Sequence, residues 1–411
     1  MLHISGNNGI GIGGKIICMS LVFMALLSGA CAYGQSTGPR DLAELKREAQ
    51  LRADQHLPPV GGVKSEDMRE AMAGLNSLEP DAWAAAFILI GDRYVEKAKT
   101  QQATSPHEAA ESYKYAWEIY NTGRWPTENS PAKKQAYAKA LEAFRAYGKL
   151  LDPPIEVVRI PFEGKEIVGY LRLPPNVRPA PLLFGISGLD TRKEDVAATS
   201  DSFLKRGIGV FAIDQPGTGQ APLKIDVGAE RMFSSALDYL RKRSDVDANR
   251  IVVRGQSWAG YWAALMAYKE RDRICGAVVH GVGIHGYFQP EWQKKGLTTR
   301  EYLFDLFPAR SAVYGVNTLD EFLAYGPRLS LLDLGYLDKP SAPMLLINGE
   351  KDTQQPIADL YLLMKHGDPK DVWVNPDGGH MGRSQQWPQG KIIETVVMPW
   401  IERKLATPAP K

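Results

Sequence analysis

The stretch Gly255-Gln256-Ser257-Trp258-Ala259-Gly260 constrains this chain more than any other. It follows an apolar run, Arg250-Ile251-Val252-Val253-Arg254, that reads as a buried strand. It precedes Tyr261-Trp262-Ala263-Ala264-Leu265-Met266-Ala267, which reads as a helix. A serine on so tight a strand-to-helix turn is presented with its oxygen exposed at the helix N-terminus. There the helix dipole favours developing negative charge. The turn demands small residues two before the serine and shortly after it, and Gly255, Ala259 and Gly260 meet that demand. The usual pattern is G-x-S-x-G; here Ala259 holds the last position and Gly260 follows.

Partners for that serine follow in order. Pro343-Met344-Leu345-Leu346-Ile347-Asn348 reads as a strand, and Asp352 lies a few residues past it. Asp371-Val372-Trp373-Val374-Asn375 reads as another, and the loop after it carries Gly378-Gly379-His380. Serine is a weak nucleophile at neutral pH, so His380 is expected to accept its proton. Asp352 is expected to hold the imidazole in the right tautomer. Glu350 and Asp377 compete for the acid role. Both are weaker choices, since Glu350 directly follows the turn glycine and Asp377 shares the loop of the histidine. An oxyanion hole needs two backbone N–H donors. Trp258, after the serine, is expected to supply one. The strand Pro181-Leu182-Leu183-Phe184-Gly185-Ile186 exits into Ser187-Gly188-Leu189-Asp190, where Gly188 permits close approach of substrate and Leu189 N–H is the second donor. Asp214-Gln215-Pro216-Gly217-Thr218-Gly219 reads as an architectural turn after the next strand. His285 is a weaker candidate for the substrate pocket, and His280 also falls where such sheets bind ligands.

The order Ser…Asp…His is that of α/β-hydrolases, and residues 151–405 resemble that superfamily. More narrowly, the chain resembles the family of 2,6-dihydroxypseudooxynicotine hydrolase, the FrsA-like esterases and the fungal polyketide-shortening hydrolases. The resemblance rests on three features. Gly188-Leu189-Asp190-Thr191-Arg192-Lys193-Glu194 is similar to the family's Gly-Leu-Glu-Ser-Thr-Lys-Glu stretch. The serine turn leads into an aromatic-rich helix. A helical segment, ending in Leu151-Asp152-Pro153-Pro154, precedes the first strand. The resemblance implies a serine hydrolase with a helical cap, acting on an ester or on a C–C bond beside a carbonyl.

The chain alternates strand and helix from Ile155 onward, with an opening hairpin around Glu163-Gly164. This predicts an α/β-hydrolase fold: a mostly parallel, eight-stranded, doubly wound sheet. Residues 286–340 exceed a plain crossover and are expected to form a lid. Residues 61–150 read as a helical cap domain, with aromatic stripes such as Trp83, Phe87 and Tyr94, or Tyr113, Trp117 and Tyr120. Residues 33–60 read as a polar linker with one short helix. No internal period of repeat proteins is found.

Lys15, the uncharged run from Ile16 to Leu27 and Ala30-Cys31-Ala32 read as a secretory signal peptide, residues 1–32, cut after Ala32. This places the mature protein in the periplasm or outside the cell, with no transmembrane span once the signal is removed. Lipidation at Cys31 is the alternative; the extra Ala30 disturbs the usual spacing. Cleavage would leave Cys275 as the single thiol, so no intrachain disulfide is expected. No Cys/His cluster has metal-ligand spacing, and no cofactor is called for. The net charge of +2, without any basic run, argues against a nucleic-acid partner. The expected partner is a small-molecule ester or carbonyl substrate; a homodimer is compatible with the sequence. The functional expectation is hydrolysis of a carboxylic ester through Ser257, His380 and Asp352. The alternatives are a C–C hydrolase of β-dicarbonyl or polyketide-like substrates, a peptidase like the prolyl oligopeptidases, and a catalytically silent binding protein on the same fold.

Overall fold

Short apolar runs bounded by glycine and proline become strands, and in the computed structural model, which describes residues 38–366, 370–407 and 409, eight of them join one sheet. They are β1 (Glu156–Phe162), β2 (Lys165–Arg172), β3 (Ala180–Ile186), β4 (Gly209–Ile213), β5 (Val246–Gln256), β6 (Gly276–His280), β7 (Met344–Gly349) and β8 (Lys370–Asn375). The sheet order is β1-β2-β4-β3-β5-β6-β7-β8. β1 and β2 form an antiparallel hairpin and β2 runs antiparallel to β4; every other pairing is parallel. The hairpin turn needs left-handed backbone at both central residues, and Glu163 and Gly164 supply φ of 48° and 75°. β3, β4, β6 and β7 are buried along their whole length, as parallel strands covered on both faces must be. The edge strands β1 and β8 are the ones that keep exposed positions along much of their length. This is the doubly wound α/β-hydrolase sheet expected from the sequence.

Five helices precede the sheet: α1 (Leu42–Asp54), α2 (Ser65–Gly74), α3 (Pro80–Gln101), α4 (Pro106–Arg124) and α5 (Pro131–Lys149). Proline at the first helical position starts α3, α4 and α5, where its missing N–H costs nothing. The aromatic stripes face inward: Trp83, Phe87, Tyr113, Trp117, Tyr120, Tyr137 and Phe144 are all buried. Gly91 lets α3 and α4 meet closely, because a Cβ there would lie 2.4 Å from the Tyr120 ring. Phe144 touches Trp117 on one side and Tyr170 of β2 on the other, at ring separations of 4.9 and 5.4 Å, so the helical layer packs onto the sheet. The described residues form one unit. The stretch read as a linker is docked too. Leu45, Ala49 and Ala53 of α1 are buried, and Arg40 and Arg52 donate to the carbonyls of Tyr302 and Glu301 at 2.6 and 2.7 Å. The signal segment and its cleavage site lie outside the described residues.

The helices after β3 are α6 (Lys193–Ala198), α7 (Asp201–Leu204), α8 (Arg231–Arg241), α9 (Ala259–Lys269), α10 (Pro290–Thr298), α11 (Leu306–Tyr314), α12 (Leu319–Tyr325), α13 (Ile357–Met364), α14 (Gln389–Ile392) and α15 (Met398–Leu405). α6 and α7 are two short helices where one continuous helix would otherwise run. Thr199 and Ser200 hydroxyls donate back to the carbonyls of Val196 and Ala197, at 2.9 and 2.6 Å, and compete with the helix ladder. A π-helical turn over Ile393–Val397 likewise separates α14 from α15. Residues 286–340 carry α10, α11 and α12 between β6 and β7. Among the described residues no helix is long and apolar enough to cross a membrane.

Two buried ion pairs fasten this insertion and the loop after β3 to the cap. Lys133 of α5 meets Asp305 at 2.6 Å, with side-chain exposures of 0% and 5%. Asn129 adds a bond to the same carboxylate at 2.8 Å. Arg192 meets both oxygens of Glu128 at 2.7 and 2.8 Å, the fork geometry that suits a carboxylate. Asp305 sits in left-handed backbone, φ 64°, which asparagine also tolerates. Asp305→Asn therefore keeps the backbone but strands the Lys133 ammonium. It should cost about 3–5 kcal/mol, read as a lower urea midpoint at unchanged m-value. An unaltered midpoint would show that the pair does not hold the two parts together.

Candidate active site

Ser257 stands between β5 and α9 with φ of 55°, a left-handed conformation that is costly for a residue with a side chain. Its neighbours leave no room to relax. A Cβ on Gly255 would lie 1.8 Å from Ala259 O, and one on Gly260 would lie 1.8 Å from Gly281 O. The strict demands fall on these two glycines, which is why alanine serves at 259. Ser257 N–H donates to His280 O at 2.8 Å, tying the turn to the end of β6. Trp258 caps α9, so the serine sits at that helix's N-terminus.

Ser257 Oγ lies 2.6 Å from His380 Nε2, and His380 Nδ1 lies 2.9 Å from Asp352 Oδ2. The three residues are brought together from the exits of β5, β8 and β7. Burial opposes charge on Asp352, yet the His380 ring beside it and the N–H groups of Gln355 and Gln354 hold its carboxyl below the usual range. Those two N–H groups donate to Oδ1 at 3.0 and 2.7 Å, leaving Oδ2 to the imidazole. An ionised Asp352 places the ring proton on Nδ1 and leaves Nε2 free to accept from the serine hydroxyl. The competing carboxylates are engaged elsewhere: Glu350 accepts from Tyr361 at 2.7 Å, and the exposed Asp377 pairs with Lys351 at 2.8 Å.

The loop after β3 presses against Ser257. A Cβ on Gly188 would meet Gln256 O at 2.9 Å and Ser257 Cβ at 3.3 Å, so glycine is what lets the loop approach. Gly188 N–H is spent on Thr191 Oγ1 at 2.8 Å. Among the described residues the Leu189 and Trp258 N–H groups have no acceptor, which leaves both free for a substrate oxygen. His285 is placed differently. Its Nδ1 lies 2.7 Å from Ser330 Oγ and 3.7 Å from Asp333, and its backbone N–H bonds Asp359. None of these contacts is to Ser257, Asp352 or His380.

Several supports were beyond the reach of sequence reasoning. His280 is fully buried behind the site rather than facing ligand. Its Nδ1 lies 3.2 Å from Arg254 Nη2 and its Nε2 3.0 Å from Met381 O. Burial, with Arg254 beside it, drives its pKa well below the ordinary value, so the ring is neutral and donates from Nε2. Met381 N–H donates to Asn348 at 3.1 Å and Asn375 donates to Gly382 O at 2.8 Å, so the His380 loop is held from both sides. Gln355 Nε2 donates to Ser257 O at 3.2 Å. Asp359 gathers the N–H groups of Ile284, His285, Gly286 and Tyr287 and fixes the turn after β6. No signal in one sequence marks these roles, since each rests on contact between distant segments. Among the described residues no three His, Cys, Asp or Glu side chains gather into a metal site. The arrangement is equipped for acyl transfer: a nucleophile, a base with an oriented ring, and two free donors beside them.

The esterase FrsA-like family model matches residues 80–375. Esterase FrsA of Vibrio cholerae is 26% identical over 290 residues, 68% of each chain. The alpha/beta hydrolase ucsC of an Acremonium species is 26% identical over 254 residues, 54% of this chain and 51% of that one. The hydrolase ORFZ of Pyricularia oryzae is 26% identical over 238 residues, 52% and 56% of the two chains. This chain thus spans about half the length of the last two relatives. The crystal structure of 2,6-dihydroxy-pseudo-oxynicotine hydrolase superposes with a TM-score of 0.70 at 21% identity, over 87% of this chain and 95% of that one. AbyA5 superposes at 0.66 and 20%, over 89% and 99%. These superpositions establish the shared α/β-hydrolase fold.

Because Asp352 fixes the tautomer of His380, Asp352→Asn should lower kcat by up to about 10⁴-fold on any substrate this site turns over. The backbone bonds from Gln354 and Gln355 survive through the amide oxygen, so thermal stability should change far less. Full activity in this variant would remove Asp352 from the machinery.

Proposed function

The chain belongs to the esterase FrsA-like family and is a hydrolase, and on that premise we propose that it is an exported serine hydrolase of carboxylic esters. The observation that carries this reading is the continuous hydrogen-bonded line Ser257–His380–Asp352 at the strand-to-helix turn. Ser257 Oγ attacks the acyl carbonyl as His380 Nε2 takes its proton. The carbonyl oxygen becomes an oxyanion and accepts from Leu189 and Trp258 N–H. Collapse expels the alcohol, which takes the proton back from His380. Water, deprotonated by the same nitrogen, then attacks the acyl-enzyme and frees Ser257. Asp352 stays ionised throughout and steadies the imidazolium. Each step is proton transfer and acyl transfer, for which these side chains and the two N–H groups suffice.

Export is the second part of the proposal and rests on the signal pattern that ends at Ala32. Intact-mass measurement of the exported protein should give a chain starting at Tyr33. A chain starting at Cys31 with added acyl mass would replace secretion by lipid anchoring.

A fluorophosphonate should label the wild type at Ser257 and leave Ser257→Ala unlabelled. Ser257→Ala and His380→Ala should each lose about 10⁶-fold in kcat on p-nitrophenyl esters, because nucleophile and base act as a unit. Retained ester hydrolysis in Ser257→Ala would displace the nucleophile. Cleavage of a β-diketone far faster than any ester would move the same three residues to C–C hydrolysis. An unlabelled wild type that turns over neither class would leave a silent binding protein.

A further inference from the structure

Trp258 is the residue after the nucleophile, and its side chain is buried at 2% exposure. Its ring meets Tyr287 and Tyr314 edge-on, at centroid distances of 5.7 and 5.4 Å. Over the Tyr287 ring lies the guanidinium of Arg310, from α11, at 5.7 Å. Arg310 is itself 2% exposed. A Cβ on Gly283 would lie 2.9 Å from Tyr287 Cγ and 3.0 Å from Gln355 Nε2, the atom that donates to Ser257 O, so the group lies beside the serine turn.

Arg310, like Arg254 against the neutral His280 ring, is buried without a counter-ion. A buried guanidinium is normally held by a carboxylate, as Glu128 holds Arg192 here. Among the described residues no Asp or Glu oxygen lies within 4.0 Å of Arg310. Its one hydrogen bond is from Nη1 to Gln293 Oε1, a long 3.4 Å, and its Nε has no partner. Two other polar groups around the Trp258 indole are also buried without partners: Trp258 Nε1 and the Tyr314 hydroxyl. Arg310 Nε, Trp258 Nε1 and Tyr314 OH can all donate, and no carboxylate is there to receive them. Leaving such groups desolvated and unmatched is expensive, and the expense is recovered when an acceptor arrives.

We propose that Arg310 with Trp258 Nε1 and the Tyr314 hydroxyl forms an anion subsite, and that the substrate is an acyl compound carrying a planar anionic oxygen group, a carboxylate or the enolate of a β-dicarbonyl. The planar fork of arginine matches two coplanar oxygens, which a point charge such as lysine does not. Arg310 is thus a specificity-determining residue. The proposal rests on Ser257 being the nucleophile, because it assigns the far end of the molecule that Ser257 attacks.

The test compares mono-p-nitrophenyl adipate, which carries a free carboxylate, with p-nitrophenyl hexanoate, which has a similar chain and no charge. Wild type should favour the adipate by at least about tenfold in kcat/KM. In Arg310→Met that preference should fall by about thirtyfold or more, chiefly through KM, with Arg310→Lys restoring part of it. Triacetylmethane, an enolate at neutral pH, provides a binding measurement independent of turnover. Its calorimetric affinity should drop at least tenfold in Arg310→Met, and adipate discrimination without enolate binding would assign the subsite to carboxylates alone. Equal losses on both esters, or a wild type indifferent to charge with no enolate affinity, would overturn the proposal. Fluorophosphonate labelling of wild type separates the two readings. A labelled enzyme with neither charge preference nor enolate affinity refutes the anion subsite alone, whereas an unlabelled one refutes the nucleophile. Circular dichroism of both Arg310 variants checks that they fold.

Discussion

A serine forced into left-handed backbone is the constraint on which the rest of this structure depends. Ser257 reaches φ of 55° because Gly255 and Gly260 leave no space for a Cβ against Ala259 O and Gly281 O. That geometry points the hydroxyl away from the sheet and toward whatever the neighbouring strand exits provide. β3 and β6 flank β5, so their loops are the immediate walls. β7 and β8 lie further along the same edge and deliver Asp352 and His380 to one side. The chain reverses its winding direction between β3 and β5, which opens the crevice where doubly wound sheets bind ligands. The fold therefore dictates the place of the site, and the strained turn dictates its direction.

The cap and the insertion between β6 and β7 are joined by charge as well as by apolar packing. Lys133 and Asp305 pair in the dry interior, and Trp125 from the end of α4 stacks on Tyr302 at 5.2 Å. Isolated buried ion pairs seldom add net stability, because desolvation offsets most of the attraction. Their strength lies in specificity: a shifted cap would leave two uncompensated charges. The same logic separates Arg192, neutralised by Glu128, from Arg310, which has no such partner. One fixes structure, whereas the other is the group assigned to the proposed anion subsite.

Much of this was legible in the sequence, for identifiable reasons. Each strand is an apolar run ended by glycine, proline or a polar turn, so all eight could be read, and Ser257, Asp352 and His380, which the structure brings within hydrogen-bond distance, follow strand exits. β5 begins earlier than its apolar run because Val246 pairs with Ala180 across an irregular register, a contact invisible in one dimension. The docking of α1 did leave a trace: Leu45, Ala49 and Ala53 recur every four residues, but the polar residues between them disguised the stripe. The break at Thr199 and Ser200 was hidden because hydroxyls that end a helix also occur inside one. His280 and His285 illustrate the limit most clearly. Both sit at a strand exit, yet one is a buried brace and the other bonds Ser330, and only the surrounding segments decide which.

The separation of Ser257, Asp352 and His380 along the chain has a consequence for how the protein acquires its shape. Ser257 and His380 are 123 residues apart, and Gln355 reaches back 98 residues to the serine carbonyl. Contacts of such range form late, because the entropy of closing long loops is lost before any contact compensates it. Strands β5, β7 and β8 must be in register before the hydroxyl and the imidazole can meet. On the proposed mechanism the serine is then inert in the nascent and partly folded chain, and chemical competence arrives together with the completed sheet.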